Sequence, residues 1–101
     1  MKIKNAYDPS KEYEVKIERT RYANNNNLAV QLICEDGEPY GMLTVNLDSN
    51  LPEDMAYVDT NNIPDAEDFI ERNGLGTKTN FTKVSGFCIY PLYRFNLDKL
   101  I

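Results

Sequence analysis

No histidine occurs anywhere in this sequence. That removes the commonest general base, the Ser–His and Cys–His nucleophile pairs, and the imidazole on which most zinc sites draw. Cysteine is nearly as scarce. Cys34 and Cys88 each sit in an apolar run, Leu32-Ile33-Cys34 and Phe87-Cys88-Ile89, where a thiol reads as a small hydrophobe, buried and reduced. Two cysteines without histidine do not make a usual zinc centre. No apolar run approaches the roughly 18–20 residues of a membrane span. Asn5, Asp8 and Lys11 interrupt any apolar h-region after Lys2 and Lys4, so the sequence predicts a cytoplasmic protein without a secretory signal. The sequon Asn80-Phe81-Thr82 is then silent.

Basic residues are missing from one long stretch. Between Arg21 and Arg72 there is no lysine or arginine, while Glu35, Asp36, Glu38, Asp48, Glu53, Asp54, Asp59, Asp65, Glu67, Asp68 and Glu71 all fall there. The flanking segments are basic on balance, and the whole chain carries −5. Direct nucleic-acid binding is disfavoured by this balance, because affinity for phosphate comes mostly from lysine and arginine.

What is present is ordinary for a globular chain: 42% hydrophobic and 27% charged over 101 residues. That suits one domain over residues 1–101 with one modest core, and leaves little room for a two-lobed cleft. Lys2–Tyr7 reads as a short strand ended by the turn residues Asp8-Pro9-Ser10. In Tyr13–Arg21, alternation points Tyr13, Val15 and Ile17 inward. Asn24–Asn27 breaks that strand and tolerates left-handed backbone. Leu28–Cys34 is nearly all apolar and reads as a central strand. The glycine- and proline-bearing turn 35–41 leads into Met42–Leu47, with Leu43, Val45 and Leu47 on one face.

A loop follows at Ser49–Asp54, then a short strand at Met55–Val58. Pro64, the acidic Asp65, Glu67 and Asp68, the apolar spacing of Ala66, Phe69 and Ile70, and Asn73-Gly74 together mark one helix near Asp65–Asn73. Leu75 is placed to make the contact of a glycine C-cap. Gly76–Asn80 reads as polar connection, Phe81–Val84 as extended, and Phe87–Tyr90 as a strand that Pro91 ends or confines to an edge. Tyr93 and Phe95 alternate with polar neighbours. The expected fold class is α+β: an antiparallel β-sheet meander with one main helix packed on it.

Enzymatic motifs fail on inspection. Gly74-Leu75-Gly76 with Lys78 follows a helix, whereas a phosphate loop follows a strand and opens a helix. Asp59-Thr60-Asn61 resembles the start of a calcium loop, but Pro64 stands where glycine is needed and Ile70 where glutamate is needed. The carboxylate pairs Glu35/Glu38 and Asp65/Asp68 fall in a turn and at a helix end, without the cleft that shifts catalytic pKa values. The expectation is a protein that is not an enzyme and uses no cofactor and no metal.

Two readings of the acidic stretch remain. Its carboxylates either decorate solvated turns and a helix end, or form a face for a basic partner that electrostatic steering would favour. On the second reading the partner-binding residues are Glu35, Asp36, Glu38, Glu53, Asp54, Glu67, Asp68 and Glu71. Tyr40 and Tyr57, two of seven tyrosines, would serve as interface anchors.

Four stretches carry a resemblance: residues 25–32 (Asn25 to Leu32), residues 37–47 (Gly37 to Leu47), Tyr57-Val58-Asp59-Thr60-Asn61-Asn62, and residues 85–95 (Ser85 to Phe95). Over about residues 13–100 the chain resembles a family of small proteins, a domain of unknown function, carried on conjugative elements and phages of gut bacteria, often near antirestriction genes. The resemblance implies no catalytic residues. It implies a mobile-element protein, and with the charge order it suggests an inhibitor of host defence, anti-CRISPR or antirestriction. Such an inhibitor would present carboxylates to a basic protein surface, a CRISPR effector or restriction nuclease. The alternative is a small assembly or regulatory partner of the mobile element, and an enzyme using a carboxylate or cysteine ranks third. An inhibitor needs a clustered acidic surface, an assembly partner an exposed apolar patch, and an enzyme a concave pocket with perturbed groups.

Overall fold

The computed structural model describes residues 1–47 and 50–100. Asp48, one of the acidic stretch, and Ser49, where the loop before Met55 begins, lie outside the described residues.

The chain is mainly β. Eight strands, β1 (Lys2–Lys4), β2 (Glu12–Arg21), β3 (Leu28–Cys34), β4 (Pro39–Met42), β5 (Thr44–Val45), β6 (Met55–Val58), β7 (Gly76–Ser85) and β8 (Cys88–Phe95), form two four-stranded antiparallel sheets. Their orders are β1-β2-β3-β4 and β5-β6-β8-β7. Among the described residues, one short helix, α1 (Ala66–Arg72), and a 3-10 turn at Leu97–Lys99 accompany the strands. This overturns the expected α+β class with its single meander. The error has two sources. Residues 76–80 were expected to be connection because they are polar, yet Thr77, Thr79 and Thr82 favour extended backbone, and an edge strand needs no apolar face. The segment Met42–Leu47, expected as one strand, divides at Leu43.

Leu43 is the corner between the sheets. Its amide donates to the Val30 carbonyl at 2.9 Å, and its own carbonyl accepts from the Asp59 amide at 2.9 Å. Before it, Met42 pairs with Gln31; after it, Thr44 pairs with Val58. A strand that changes sheets in this way turns the alternation with it: Leu43 is buried in the main core, whereas Val45 and Leu47 pack against a second cluster of Met55, Tyr57, Tyr90 and Leu92.

The main core takes Ile3, Val15 and Ile17, Leu28, Val30 and Leu32, and Tyr93 and Phe95 from the two sheets, with Ala66, Phe69 and Ile70 from α1. Tyr13 does not join them; it is partly exposed and meets the Tyr40 ring, with centroids 5.8 Å apart. The helix lies where expected but begins at Ala66, just after Pro64, and ends in the glycine C-cap. Gly74 adopts φ 62°, its amide donates to Glu71, and the Leu75 amide donates to Ile70, which is the Schellman pattern. The asparagine run holds a left-handed residue, Asn26 at φ 60°. It also ties two loops together: Asn25 donates to Asn46 at 2.9 Å, and Asn27 accepts from the Leu51 amide.

Pro91 does not end its strand. β8 runs through it to Phe95, between β6 and β7. The ladder adjusts on both sides. Pairing with β6 stops at Tyr57↔Leu92, one residue short of Pro91, and β7 bulges between Lys78 and Thr82. In the bulge the Thr79 hydroxyl donates to the Leu92 carbonyl at 2.7 Å. A proline inside a sheet is tolerated where a ladder bond is not required of it, and here it marks the point past which the β7–β8 ribbon runs without β6.

Candidate functional site

Beyond Pro91 the ribbon pairs Thr82↔Pro91, Lys83↔Tyr90, Val84↔Ile89 and Ser85↔Cys88. It closes on Gly86-Phe87. Gly86 has φ 61° while Phe87 is not in the positive-φ region, as a type II′ hairpin requires. Residues two apart along a strand share a face. Tyr90 and Cys88 therefore lie on the side of Leu92, packed with Val45, Leu47 and Leu51. Val84 and Ile89 lie on the side of Tyr93 and Phe95, which is the core-facing side, but the ribbon has run past the core. Val84 and Ile89 are 65% and 61% exposed, Phe81 in the bulge is 67% exposed, and Phe87 at the tip is fully exposed. Large apolar side chains grouped in this way on a small protein mark interaction surfaces. Reading Phe87–Tyr90 as a strand that Pro91 ends or confines to an edge does not by itself show that Phe87 and Ile89 are exposed. Gly86 as a hairpin turn and Pro91 as the limit of the sheet are the signals that reveal a projecting arm.

The acidic residues stand on three elements. Glu35, Asp36 and Glu38 come together, exposed, in the β3–β4 turn, where the Asp36 side chain accepts the Glu38 amide at 3.0 Å. Glu35 and Asp36 border a depression of about 330 Å³ with Tyr13, Glu14 and Cys34. Glu14 is held by the Met1 ammonium, whose hydrogen bond keeps its carboxyl below the usual range. Glu67, Asp68 and Glu71 lie on α1. Burial tends to raise the Glu67 carboxyl, but hydrogen bonds from Lys78, at 2.9 Å, and from the Tyr93 hydroxyl, at 2.8 Å, outweigh it and hold it low. Asp54 meets Arg94 at 3.8 Å, and the Glu53 carbonyl accepts from Arg21 at 2.8 Å. Folding thus returns bases from the flanking segments to part of the acidic stretch: Asp54, Asp65 and Glu67 all have ion-pair partners from residues 72–101.

The two tyrosines part company. Tyr40 is partly exposed beside Tyr13, and burial, followed by the nearby Tyr13, Cys34 and Asp65, pushes its hydroxyl up. Tyr57 is buried in the second cluster. Tyr40 also lines an open pocket of about 500 Å³ with Tyr7, Met42, Asp59 and Asn62. Asp59 there accepts from both the backbone and side-chain nitrogens of Asn62, at 3.1 and 2.8 Å. It is engaged in shaping the turn before α1. Among the described residues no three His, Cys, Asp or Glu side chains converge to hold a metal, and no helix is long and apolar enough to cross a membrane. Cys34 and Cys88 are free thiols, half-buried rather than fully buried as expected, because Cys34 ends β3 at the turn and Cys88 opens β8 at the hairpin.

A family model described as Domain of unknown function (DUF4313) matches residues 16–101. No curated protein and no solved structure matches the chain.

Proposed function

We propose that this chain, which belongs to the DUF4313 family, is a non-enzymatic binding protein that engages another protein through the tip of its β7–β8 hairpin, as a small assembly or regulatory partner. The observation that carries this reading is the exposed group Phe81, Val84, Phe87 and Ile89 on an arm that outruns the core. Burying such side chains drives association, and an aromatic at a hairpin tip is suited to fill a partner's pocket.

A second reading is favoured by one specific observation, the exposed Glu35, Asp36 and Glu38 gathered in the β3–β4 turn beside Glu14. On this reading the chain serves a mobile genetic element as an anti-CRISPR or antirestriction inhibitor, offering carboxylates to a basic nucleic-acid-binding surface in the cytoplasm. Glu53, Asp54, Glu67, Asp68 and Glu71 would extend the face. It ranks below the hairpin because Asp54 and Glu67 already have basic partners.

Site-specific photo-crosslinking separates the two. A crosslinking amino acid is placed at position 87 in one sample and at position 35 in another, in cells that normally carry the protein. Discrete adducts from position 87 that disappear in V84K/I89K support the hairpin. Adducts confined to position 35, weakened by salt, support the acidic turn and overturn the first reading.

A further inference from the structure

Among the described residues two carboxylates are buried, Asp59 and Asp65, at 8% and 7% exposure. A charge taken out of water calls for a counter-ion. Asp65 has one in the Arg72 guanidinium. Asp59 has no ion-pair partner among the described residues. Its two hydrogen bonds both come from Asn62, the backbone N–H donating to Oδ1 and the side-chain amide to Oδ2. Both donors are neutral. A carboxylate offers about four acceptor sites, so each oxygen keeps one more.

Asp59 is not sealed in the core. It lines the open pocket of about 500 Å³, a volume within the range of small-ligand sites. The rest of the lining suits a cation on an apolar stem. Met42 and Ile63 supply apolar surface, Tyr7 and Tyr40 border the pocket, and no lysine or arginine lines it. Aromatic rings attract cations over their faces. The Tyr40 ring is positioned by its contact with Tyr13. The Tyr7 side chain is 98% exposed, so its ring is free to cover an occupant. A second depression of about 360 Å³ shares Tyr7 and Tyr40 with the first and carries on to Cys34 and Pro39.

The open acceptor sites select the kind of cation. An ammonium is a compact point charge. A guanidinium is a planar fork that meets both oxygens of a carboxylate and stacks on aromatic rings. The same fold already uses that solution, since Arg72 engages both oxygens of Asp65. We propose that the pocket at Asp59 binds a guanidinium group on an aliphatic stem, with Asp59 as counter-ion and Tyr7 and Tyr40 as aromatic walls. The group belongs either to an arginine side chain of a protein or to a free guanidino compound. None of the lining residues lies in the β7–β8 hairpin, so this site stands or falls independently of the contact proposed there.

The test titrates the full chain with Nα-acetyl-arginine amide and follows the Asn62 and Ile63 resonances by NMR. Nα-acetyl-citrulline amide, a neutral isostere, and Nα-acetyl-lysine amide are the controls. The arginine amide is expected to bind saturably, about tenfold more tightly than the citrulline amide and more tightly than the lysine amide. D59N, which keeps an acceptor for the Asn62 amide, is expected to weaken it about tenfold. Should D59N fail to fold, G41V carries the test. Gly41 lines the pocket, and a Cβ there meets only Ile63 Cδ1, at 3.9 Å. Valine suits a strand, so G41V should fill the pocket, keep the melting temperature and remove binding. No saturable shift at tens of millimolar overturns the site. Equal binding of the citrulline amide overturns the cation, and equal binding of the lysine amide overturns the guanidinium. Binding unchanged in the folded variants overturns the pocket. A heptapeptide with arginine at its centre and alanine elsewhere separates the two sources. Tighter binding than the amide, with shifts reaching Cys34, identifies a protein chain laid across both depressions; no gain identifies a free guanidino compound.

Discussion

Arg72 grips Asp65 with both terminal guanidinium nitrogens, at 3.1 and 2.7 Å, and the same group reaches the Lys2 carbonyl at 3.2 Å. Asp65 in turn accepts the Lys4 amide at 2.9 Å. One ion pair thereby fastens the first strand to the end of the helix. Burial tends to raise the Asp65 carboxyl, but the hydrogen bonds from Arg72 and Lys4 and the neighbouring charges outweigh it and hold it below the usual range.

Asp65 therefore makes stability acid-sensitive in a defined direction. A depressed carboxyl pKa contributes stability that is fully present above the unfolded value, about 3.9, and is lost as pH falls through the lower folded value. Urea unfolding at pH 7 should show D65N less stable by about 2 kcal/mol. The gap between D65N and the parent should shrink as the pH falls below that unfolded value.

Tyr93 produces the opposite dependence at the alkaline end. Burial, then its hydrogen bond to Glu67, pushes its hydroxyl well up. For a group with a raised pKa, stability is whole below the unfolded value, about 10, and falls as pH rises toward the folded one. Tyr93→Phe should cost about 1 kcal/mol at neutral pH and flatten the decline above pH 10. Titration by ultraviolet absorbance should show Tyr93 ionising only with unfolding.

Two glycines of the β7–β8 unit should respond differently to alanine. A Cβ on Gly76 would come within 2.6 Å of the Arg94 carbonyl oxygen, a backbone atom with little freedom to move. G76A should lose about 2–3 kcal/mol. At Gly86 nothing lies within 4 Å and only the positive φ resists, so G86A should lose about 1 kcal/mol. Thermal denaturation of the two variants side by side checks the order.

The half-buried cysteines should be chemically available. The native protein should take up two equivalents of a small thiol reagent while its circular dichroism stays folded. Replacing Cys88, which packs on the second cluster, should cost about 1 kcal/mol, more than replacing Cys34.

Much of this architecture was legible where one face is apolar and the other polar. Val15 and Ile17, Leu28–Cys34, the helix with Phe69 and Ile70, and the Gly74 cap all follow from spacing and glycine placement. Three things were not. Period-two alternation does not say which sheet a strand joins, so the corner at Leu43 was hidden inside an ordinary run. Polar threonine-rich β7 has the pattern of a loop, because an edge strand shows little burial on either side. Tyr57 and the hairpin tip exchanged roles for the same reason. An apolar residue reads identically whether it lies under a neighbouring loop, as Tyr57 does, or past the end of the core, as Phe87 and Ile89 do. The acidic stretch was legible as a sequence, but its pairing with Lys78, Arg72 and Arg94 depends on contacts made only by folding.

Because the amide of Leu43 belongs to one sheet's bonding and its carbonyl to the other's, the count of two sheets does not correspond to two foldable pieces. Cutting the chain anywhere between β5 and β6 would leave the first fragment without the Asp59 amide and the second without β5, each missing part of the shared core. Neither half should survive alone, and hydrogen exchange of the deepest amides on both sides of Leu43 should report a single opening event. The two sheets should therefore gain and lose their structure in one cooperative step, with no stage at which either stands without the other.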